Sequence, residues 1–476
     1  MWYSGVILGH WPGHWAKRVT GVNMRNGMMV GAFFAMQVSV VQAAIPPVLL
    51  SPASNITIAN PNLALSADLN GDRKKDLVAL NADNGSISVL LGDGNGAFQN
   101  FAVSPNVTSA ASAVLEDFNG DVKIDLAVAV NSRVQVFLGN GDGTFQGALE
   151  TQIGSGATSI ATGDFNRDRL PDLAVLTPST KGFAILLGNG NGTFLPAVNH
   201  SVSTTTVYAV VPGDWNRDGI EDLATTAYGS KVILSLGNGD GTFRPGSSVP
   251  SGSGTPYGIV KGDFNLDGKL DLALSKFQPN AVLILTGNGD GTFRTGSQIG
   301  ISGDDYRIVA ADLNVDGRTD LAVPVYSTNT VSVFLSNGNG SFQPATQFAV
   351  GSGPFGVLAA DFNGDRKPDL VSANYGGGSL SVLLNISPYN WPVRIEANPP
   401  VYYPDLQSAY DNAPSGGIIK AMVFPFHETL SCHRNIAVTL KGGYDEGYGS
   451  VVGMTTLRGE LLLLNGRVVI EGFTIE

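Results

Sequence analysis

The sequence predicts an all-β protein: a seven-bladed β-propeller followed by a small β-rich, β-solenoid-like C-terminal domain. Three observations carry this prediction. A pattern of the form D-x-N-x-D-x-x-x-D-L recurs seven times, starting at Asp68, Asp117, Asp164, Asp214, Asp263, Asp312 and Asp361, at intervals of 47 to 50 residues. Each interval holds material for four short strands. The last interval is incomplete, and the missing piece stands ahead of the first. A fixed period of this length marks a propeller blade.

Within a repeat, an apolar stretch such as Gly258-Ile-Val-Lys-Gly leads into the aspartate loop. A strand rich in β-formers follows, as in Asp125-Leu-Ala-Val-Ala-Val, and then an alternating one, as in Val331-Ser-Val-Phe-Leu. The third strand ends in a glycine turn, GNGDGTF at Gly139, Gly237 and Gly287, and the fourth is expected to begin at its phenylalanine. No helix follows these turns, so a phosphate-cradling loop lacks its context and a hairpin connection is the reading. The seventh repeat stops at Ser381-Val-Leu-Leu-Asn385 without turn or fourth strand. The segment 46–60, PPVLLSPASNITIAN, is expected to supply that strand and zip the ring shut. The propeller then covers residues 45–388, leaving 389–476 as the C-terminal domain.

The chain of 476 residues carries 40 acidic against 28 basic side chains, a formal net charge of −12. Nucleic acid is excluded as a partner, since phosphate neutralisation needs Lys and Arg in excess. With 43% hydrophobic residues there is ample material for a core. A single cysteine, Cys432, rules out an intramolecular disulfide and a cysteine-rich zinc site. Residues 28–41, MMVGAFFAMQVSVV, follow Arg25 and precede Gln42-Ala43-Ala44. They read as the apolar centre of a signal peptide within residues 1–44, with Met24 as an alternative start, and are short for a membrane span. A secreted, periplasmic or cell-surface protein is expected, with no membrane span after cleavage.

The loops have the chemistry of calcium sites. Their acids fall at positions 1, 5 and 9 with Asn at position 3, an all-oxygen set that suits a hard cation wanting six to eight ligands. The candidate ligands are Asp68, Asn70, Asp72 and Asp76 in loop 1, and Asp117, Asn119, Asp121 and Asp125 in loop 2. Loop 3 offers Asp164, Asn166, Asp168 and Asp172, and loop 4 offers Asp214, Asn216, Asp218 and Asp222. Asp263, Asn265, Asp267 and Asp271 serve loop 5, and Asp312, Asn314, Asp316 and Asp320 serve loop 6. Loop 7 has Asp361, Asn363, Asp365 and Asp369. The carbonyl at position 7 would add a fifth ligand. Up to seven Ca2+ ions are expected, one per loop. No Glu stands at position 12, so these are not EF-hands. Glycine occupies position 6 in loops 4, 5 and 6 (Gly219, Gly268, Gly317) and position 4 in loops 1, 2 and 7; loop 3 has neither and is expected to be the weakest site.

The combination of D-x-N-x-D-x-x-x-D-L, the L-A-V strand and L-G-N-G-D-G-T-F resembles the FG-GAP, or VCBS, repeats of the integrin α-chain propeller family, across residues 46–388. The resemblance implies a calcium-stabilised propeller, often secreted, used in adhesion and ligand binding.

Six residues before the first loop Asp stand Tyr208, Tyr257, Tyr306 and Phe355 in repeats 4–7, where repeats 1–3 have Asn62, Ala111 and Thr158. Six residues after the last loop Asp stand Tyr228, Phe277, Tyr326 and Tyr375, against Ala82, Asn131 and Pro178. Both positions lie one strand length from the loops, so the eight rings are expected as a crescent on the opposite face. Such rims suit an extracellular carbohydrate or protein ligand, because each ring joins apolar area to a polar edge; packing between blades is the competing explanation.

No catalytic constellation stands out. His200, the propeller's only histidine, is expected on a surface loop. The chain reads as a binding module rather than an enzyme, the alternative being a polysaccharide-active lyase or glycosidase, whose two carboxylates the sequence does not single out. In the tail, 404–412 reads as a short helix with Leu406, Ala409 and Tyr410 on one face, and 436–440, 460–464 and 468–475 as strands. The final strand offers an edge to another chain. His427, Glu428, Cys432 and His433 are near enough in sequence to raise a metal site, though chance proximity explains them as well. The loop aspartates hold 21 of the 40 acids, leaving the rest of the chain at +9; with one calcium per loop the net charge would be +2.

Overall fold

The computed structural model describes residues 6–8 and 48–387, apart from 82–84, 105–106, 108–109, 155, 203–205 and 305–306. Of the C-terminal region it describes 393–396, 401–403, 405–423, 425–426, 428–444, 450–451 and 453–475. The apolar segment 28–41 lies outside the described residues. No described helix is long and apolar enough to cross a membrane.

The propeller has seven antiparallel sheets of four strands each. Blade 1 runs Pro61–Ala67, Asp76–Asn81, Ile87–Gly92 and Phe98–Ser104, and each later repeat follows the same order. The first strands of neighbouring blades pack side by side around the ring, and Pro354–Ala360 of blade 7 meets Pro61–Ala67 of blade 1. In blade 7 the fourth strand is Ser54–Thr57, which pairs with Ser379–Leu383 in the register Ser54↔Val382 to Thr57↔Ser379. The circular closure read from the incomplete repeat is therefore present, and no blade ends on an unmatched third strand.

Burial explains why the strand after each loop is a continuous apolar run. All six residues are buried in Asp76–Asn81, Asp125–Val130, Asp172–Thr177, Asp222–Ala227, Asp320–Val325 and Asp369–Asn374. Each blade is covered on both faces by its neighbours, so neither side of this strand meets water. The cores accordingly lie between blades: Val78, Leu80 and Ile87 of blade 1 pack on Ala113, Leu126 and Val128 of blade 2. Two expectations about strand limits need correction. The fourth strand starts at the turn phenylalanine only in blades 1, 4 and 5. In blades 2, 3 and 6 the phenylalanine makes a single bridge (Gly139↔Phe145, Gly188↔Phe194, Ser336↔Phe342), and the strand resumes at Leu149, Val198 and Thr346. His200 does not lie on a loop; it sits in the strand Val198–Ser201, stacked on Phe183.

The C-terminal unit is a small β-solenoid. Gly417–Met422, Ala437–Tyr444 and Arg467–Glu471 pair in parallel succession. Pro425–Phe426, Thr455–Leu457 and Phe473–Ile475 form a second parallel stack, and Leu430–Cys432 with Leu461–Leu463 a third. One coil cannot bury its own inner face, so stacked coils share a core, here Ile419, Leu430, Cys432, Leu440 and Leu457. The helix is Leu406–Asn412, with Leu406, Ala409 and Tyr410 buried as their spacing indicates. Asp405 caps it, its Oδ1 accepting the Ser408 N–H at 2.6 Å. Val6–Leu8 pairs antiparallel with Val468–Ile470.

Ile58, 6% exposed, follows the closing strand and packs with Phe362, Val371 and Leu380 at the junction of blades 7 and 1. Ile58→Ala is expected to lower the unfolding free energy by about 2–5 kcal/mol, the cost of a buried cavity, read from urea denaturation.

Candidate metal loops and ligand face

The ninth-position aspartates, expected as metal ligands, are fully buried at the mouth of the second strand: Asp76, Asp125, Asp172, Asp222, Asp271, Asp320 and Asp369 are each 0% exposed. Both carboxylate oxygens accept backbone N–H groups. Oδ2 takes the N–H of loop position 2 (Leu69, Phe118, Phe165, Trp215, Phe264, Leu313, Phe362) at 2.9–3.1 Å. Oδ1 takes the N–H that ends the third strand (Gly92, Gly139, Gly188, Gly237, Gly287, Ser336, Asn385) at 2.6–2.8 Å. One side chain thus ties the first turn of a blade to its last hairpin. Glycine at the hairpin position has a steric cause: a Cβ on Gly92 would stand 2.2 Å from the Lys75 carbonyl oxygen, and one on Gly139 2.2 Å from that of Ile124.

The same position-2 residue holds the next blade. Its carbonyl accepts the N–H of the fifth turn residue from the following blade: Gly143 to Leu69, Gly192 to Phe118, Gly241 to Phe165, Gly291 to Trp215, Gly340 to Phe264 and Gly96 to Phe362, at 2.8–3.0 Å. Blade 7 lacks the turn, and there the Asn385 side chain substitutes, its Nδ2 donating to Leu313 O at 2.6 Å.

The acids and amides at positions 1, 3 and 5 face their own loop backbone. In loop 1, Asp68 accepts from Gly71 and Arg73 at 2.8 and 2.7 Å, Asn70 from Asp72 at 3.0 Å, and Asp72 from Lys74 at 2.9 Å. Loops 2 to 5 and 7 share this wiring with small variations. Among the described residues no three His, Cys, Asp or Glu side chains converge as a metal set. The loop acids do feel one another. Burial, and then the charges of Asp168 and Asp164, push Asp172 up to about 6 against the pull of its two N–H bonds. Asp222, Asp271 and Asp369 are likewise raised to about 6, with burial as the main cause and their own loop acids adding to it. Lysine at position 7 supplies a counter-charge in four loops: Lys74–Asp72 at 3.4 Å, Lys123–Asp121 at 3.8 Å, Lys269–Asp267 at 3.1 Å and Lys367–Asp365 at 3.2 Å. Loops 3 and 4 have Leu170 and Ile220 in that place.

Backbone angles explain the glycine pattern. Every loop turns through two left-handed residues, at positions 4 and 6: Gly71 and Arg73 in loop 1, Arg217 and Gly219 in loop 4. Six loops place glycine at one of the two. Loop 3 holds both with side chains, Arg167 (φ 64) and Arg169 (φ 66).

The aromatic positions lie at the opposite end of the blades from the loops. Asn62, Ala111, Tyr257 and Phe355 each sit where the register of the first strand slips by one residue, and Tyr208 lies within the corresponding slip of blade 4. Such a bulge re-aims one side chain out of the sheet. Three of the rings form a cluster. Tyr208 and Tyr257 meet at 4.7 Å between centroids, and Tyr257 meets Phe277 edge-on at 6.1 Å. Burial, and then the nearby Tyr257 and Tyr228 phenols, raise the Tyr208 pKa. Tyr228 is 58% exposed. The ring edge of Tyr326 lies 3.0 Å from where a Cβ on Gly353 would stand, and Phe355 has the Arg307 guanidinium 6.0 Å above its ring. Tyr375 opens a 3-10 turn, Tyr375–Gly377. Tyr306 lies outside the described residues.

Two groups here carry no signal in the repeat pattern. Lys276 is fully buried beside Phe277, its Nζ donating to the Ser251 carbonyl at 2.5 Å, and burial pushes its pKa down. Glu221 reaches from loop 4 to blade 3 and accepts the Asp164 N–H at 3.1 Å. Among the described residues, those of the tail raised as a metal site do not assemble as one. Glu428 accepts the N–H groups of Leu406 and Gln407 at the helix start, Cys432 is buried in the solenoid core, His433 lies near Asp411 at 3.8 Å, and His427 is outside the described residues.

The profile of the FG-GAP-like repeat matches six overlapping segments running from residue 68 to residue 372: 68–126, 117–175, 164–225, 214–274, 263–323 and 312–372. The chain belongs to the FG-GAP-like repeat family. Among solved structures, the BBS1N chain of a complex with ARL6DN is similar, at a TM-score of 0.53 and 14% identity over 72% of this chain and 99% of that one. A candidate 6-phosphogluconolactonase from Bacteroides fragilis is similar at a TM-score of 0.51 and 14% identity, over 66% of this chain and 96% of the other. At such identity both speak to the propeller fold alone. No curated protein matches the chain in sequence.

Arg169→Gly in loop 3 is expected to stabilise the protein by about 1 kcal/mol, since a left-handed non-glycine residue costs about that much; a melting temperature at or below that of the unaltered protein counts against the strain.

The raised aspartates fix a pH dependence for the metal-free protein. A carboxyl with a pKa of about 6 when folded, against about 3.9 when unfolded, takes up its proton first in the folded state. Stability from these four groups therefore rises as pH falls from about 7 toward 4.5. In excess chelator the melting temperature at pH 5 is expected to exceed that at pH 7.5.

Proposed function

We propose that this FG-GAP protein is an exported, calcium-braced propeller that acts as an adhesion or ligand-binding module, with its ligand seat at the Tyr208–Tyr257–Phe277 cluster. The observation that carries the reading is this three-ring cluster, raised on strand bulges at the end of blades 4 and 5 away from the loops, with Tyr228 exposed nearby. Half-buried rings with accessible edges suit the faces of sugars or the side chains of a peptide.

Calcium fits the loops by donor chemistry. Each described loop presents carboxylate, amide and carbonyl oxygens only. The oxygens at positions 1, 3 and 5 would exchange their loop N–H bonds for the ion, or share lone pairs between the two. The ninth aspartate would bind without leaving its two N–H groups, since each carboxylate oxygen has a second lone pair. Bound calcium would cancel the mutual repulsion of three acids and hold the loop at its two left-handed residues.

The deciding experiment is a glycan array run with calcium and with chelator, using the unaltered protein and a Tyr208→Ala/Tyr257→Ala variant. Retention on the array, lost in the variant while its melting temperature holds within a few degrees, is the expected result. Unfolding of the variant would favour blade packing as the role of these rings, and release of shortened oligosaccharides would replace the module by an enzyme. Chelator is expected to lower the melting temperature at pH 7.5, and an unchanged melt would remove calcium from the reading.

A further inference from the structure

Blade 6 departs from its neighbours at the start of its inner strand. That strand has three residues, Val309–Ala311, against seven in blades 4 and 7 and eight in blade 5. A proline stands where the pairing stops. In blade 5 the Gly258 N–H donates to the Ser275 hydroxyl, and in blade 4 the Ala209 N–H donates to that of Thr226, both at 3.0 Å. The corresponding residue of blade 6 is Pro324, which has neither hydroxyl nor N–H. Pairing in blade 6 begins only at Val309↔Ala322, and Arg307 stands outside the ladder.

Arg307 is partly buried, and its guanidinium lies 6.0 Å above the Phe355 ring of blade 7. Among the described residues it has neither a hydrogen bond nor an ion-pair partner. Asp304, the described acid nearest to it in sequence, is held elsewhere. Its Oδ1 accepts from the Asn280 side chain at 3.2 Å, and its carbonyl accepts the Tyr326 N–H at 2.9 Å. Burial pulls the Arg307 pKa down, with no neighbouring charge contributing. A cation withdrawn from water is normally paired, because leaving it unpaired is costly. Here the chain has a formal net charge of −12 and still supplies no acid.

Two rings accompany this cation. Phe355 occupies the bulge of the blade 7 inner strand, between Pro354 and Gly356. Tyr326, 36% exposed, follows the second strand of blade 6, Asp320–Val325. Its ring edge lies 3.0 Å from where a Cβ on Gly353 would stand, and Gly353 is left-handed at φ 61, so a side chain there is disfavoured on two counts. Gly353 comes two residues before Phe355, about 7 Å along an extended chain. One guanidinium and two rings thus gather where blades 6 and 7 meet, at the end of the blades away from the loops.

We propose that Arg307, Phe355 and Tyr326 form a subsite for an acidic sugar, a hexuronate unit of a longer glycan being the simplest case. Phe355 supports the guanidinium with its ring face. The guanidinium fork takes the sugar carboxylate through two parallel N–H bonds. The exposed part of the Tyr326 ring takes the apolar face of the pyranose. This subsite rests on the reading of this end of the blades as a saccharide face, and it adds to that face a preference for negative charge.

The test is calorimetry on the full chain with tetragalacturonate, with the same oligosaccharide as its methyl ester, and with tetraglutamate. Tetragalacturonate is expected to bind at least about tenfold more tightly than the uncharged ester, the scale of one charge-assisted contact. Arg307→Gln is expected to bring it down to the ester's level while leaving the ester's own affinity unchanged, which also shows that the variant folds. Tyr326→Ala is expected to weaken acid and ester by a similar factor. Acid and ester binding alike, or an affinity that Arg307→Gln leaves unchanged, overturns the acidic subsite and leaves the saccharide face standing. Tetraglutamate binding as tightly as tetragalacturonate, with the same dependence on Arg307, overturns the choice of a sugar. Binding of neither oligosaccharide also overturns the proposal, and the glycan array then decides separately whether the saccharide face stands.

Discussion

The buried aspartate at the ninth loop position is the interaction on which the propeller depends. A blade has two places where backbone N–H groups leave the sheet ladder, the turn after the first strand and the hairpin after the third. One carboxylate satisfies both, with Oδ2 on the first and Oδ1 on the second, in all seven blades. Burying a charge is costly unless it is hydrogen-bonded, and the rise of four of these pKa values to about 6 shows the cost not fully offset. The position-2 residue, fixed by that carboxylate, then offers its carbonyl to the next blade. Order in one loop is thereby passed to its neighbour around the ring.

This changes the meaning of the acid count. Of the 21 loop aspartates, seven are fully buried fastenings of the sheet with both oxygens engaged. In loops 1 to 5 and 7 the twelve at positions 1 and 5 are at least partly exposed and face their own backbone, and in four of these loops a lysine at position 7 as well. Like-charge repulsion is therefore partly relieved inside the protein, and unevenly. Loops 3 and 4 lack that lysine, and loop 3 alone holds both left-handed positions with non-glycine residues, Arg167 and Arg169. That loop 3 lacks both glycines was legible in the sequence; that every loop has two left-handed positions rather than one was not.

The aromatic positions divide in a way that strand spacing does not show. Counting residues places all of them at one end of their blades, and the seven described are found there. Which rings touch depends on the bulge in the first strand and on the approach of adjacent blades, so Tyr208, Tyr257 and Phe277 assemble while Tyr326 packs toward Gly353 and Phe355 lies beneath Arg307. His200 shows the same dependence more sharply. A lone histidine near a glycine-rich turn reads as surface; in the fold it stacks on Phe183 of its own blade and meets Phe243 of the next. An aspartate opening a fully apolar strand, as in Asp125-Leu-Ala-Val-Ala-Val, is itself a sequence signal: a carboxylate adjoining a buried run must find backbone donors.

The amino-acid sequence by itself determined the blade number, the four-strand repeat and the closure of the ring by residues from the front of the chain. These follow from short-range rules repeated seven times, namely turn chemistry, strand alternation and the need of every sheet edge for a partner. Tertiary structure alone decided the dual hydrogen bonding of the ninth aspartate, the meeting of Tyr208, Tyr257 and Phe277, and the stacking of His200 between Phe183 and Phe243. Each of these depends on how one blade faces the next, a distance and an angle between segments some fifty residues apart, and no local pattern in the chain encodes that geometry.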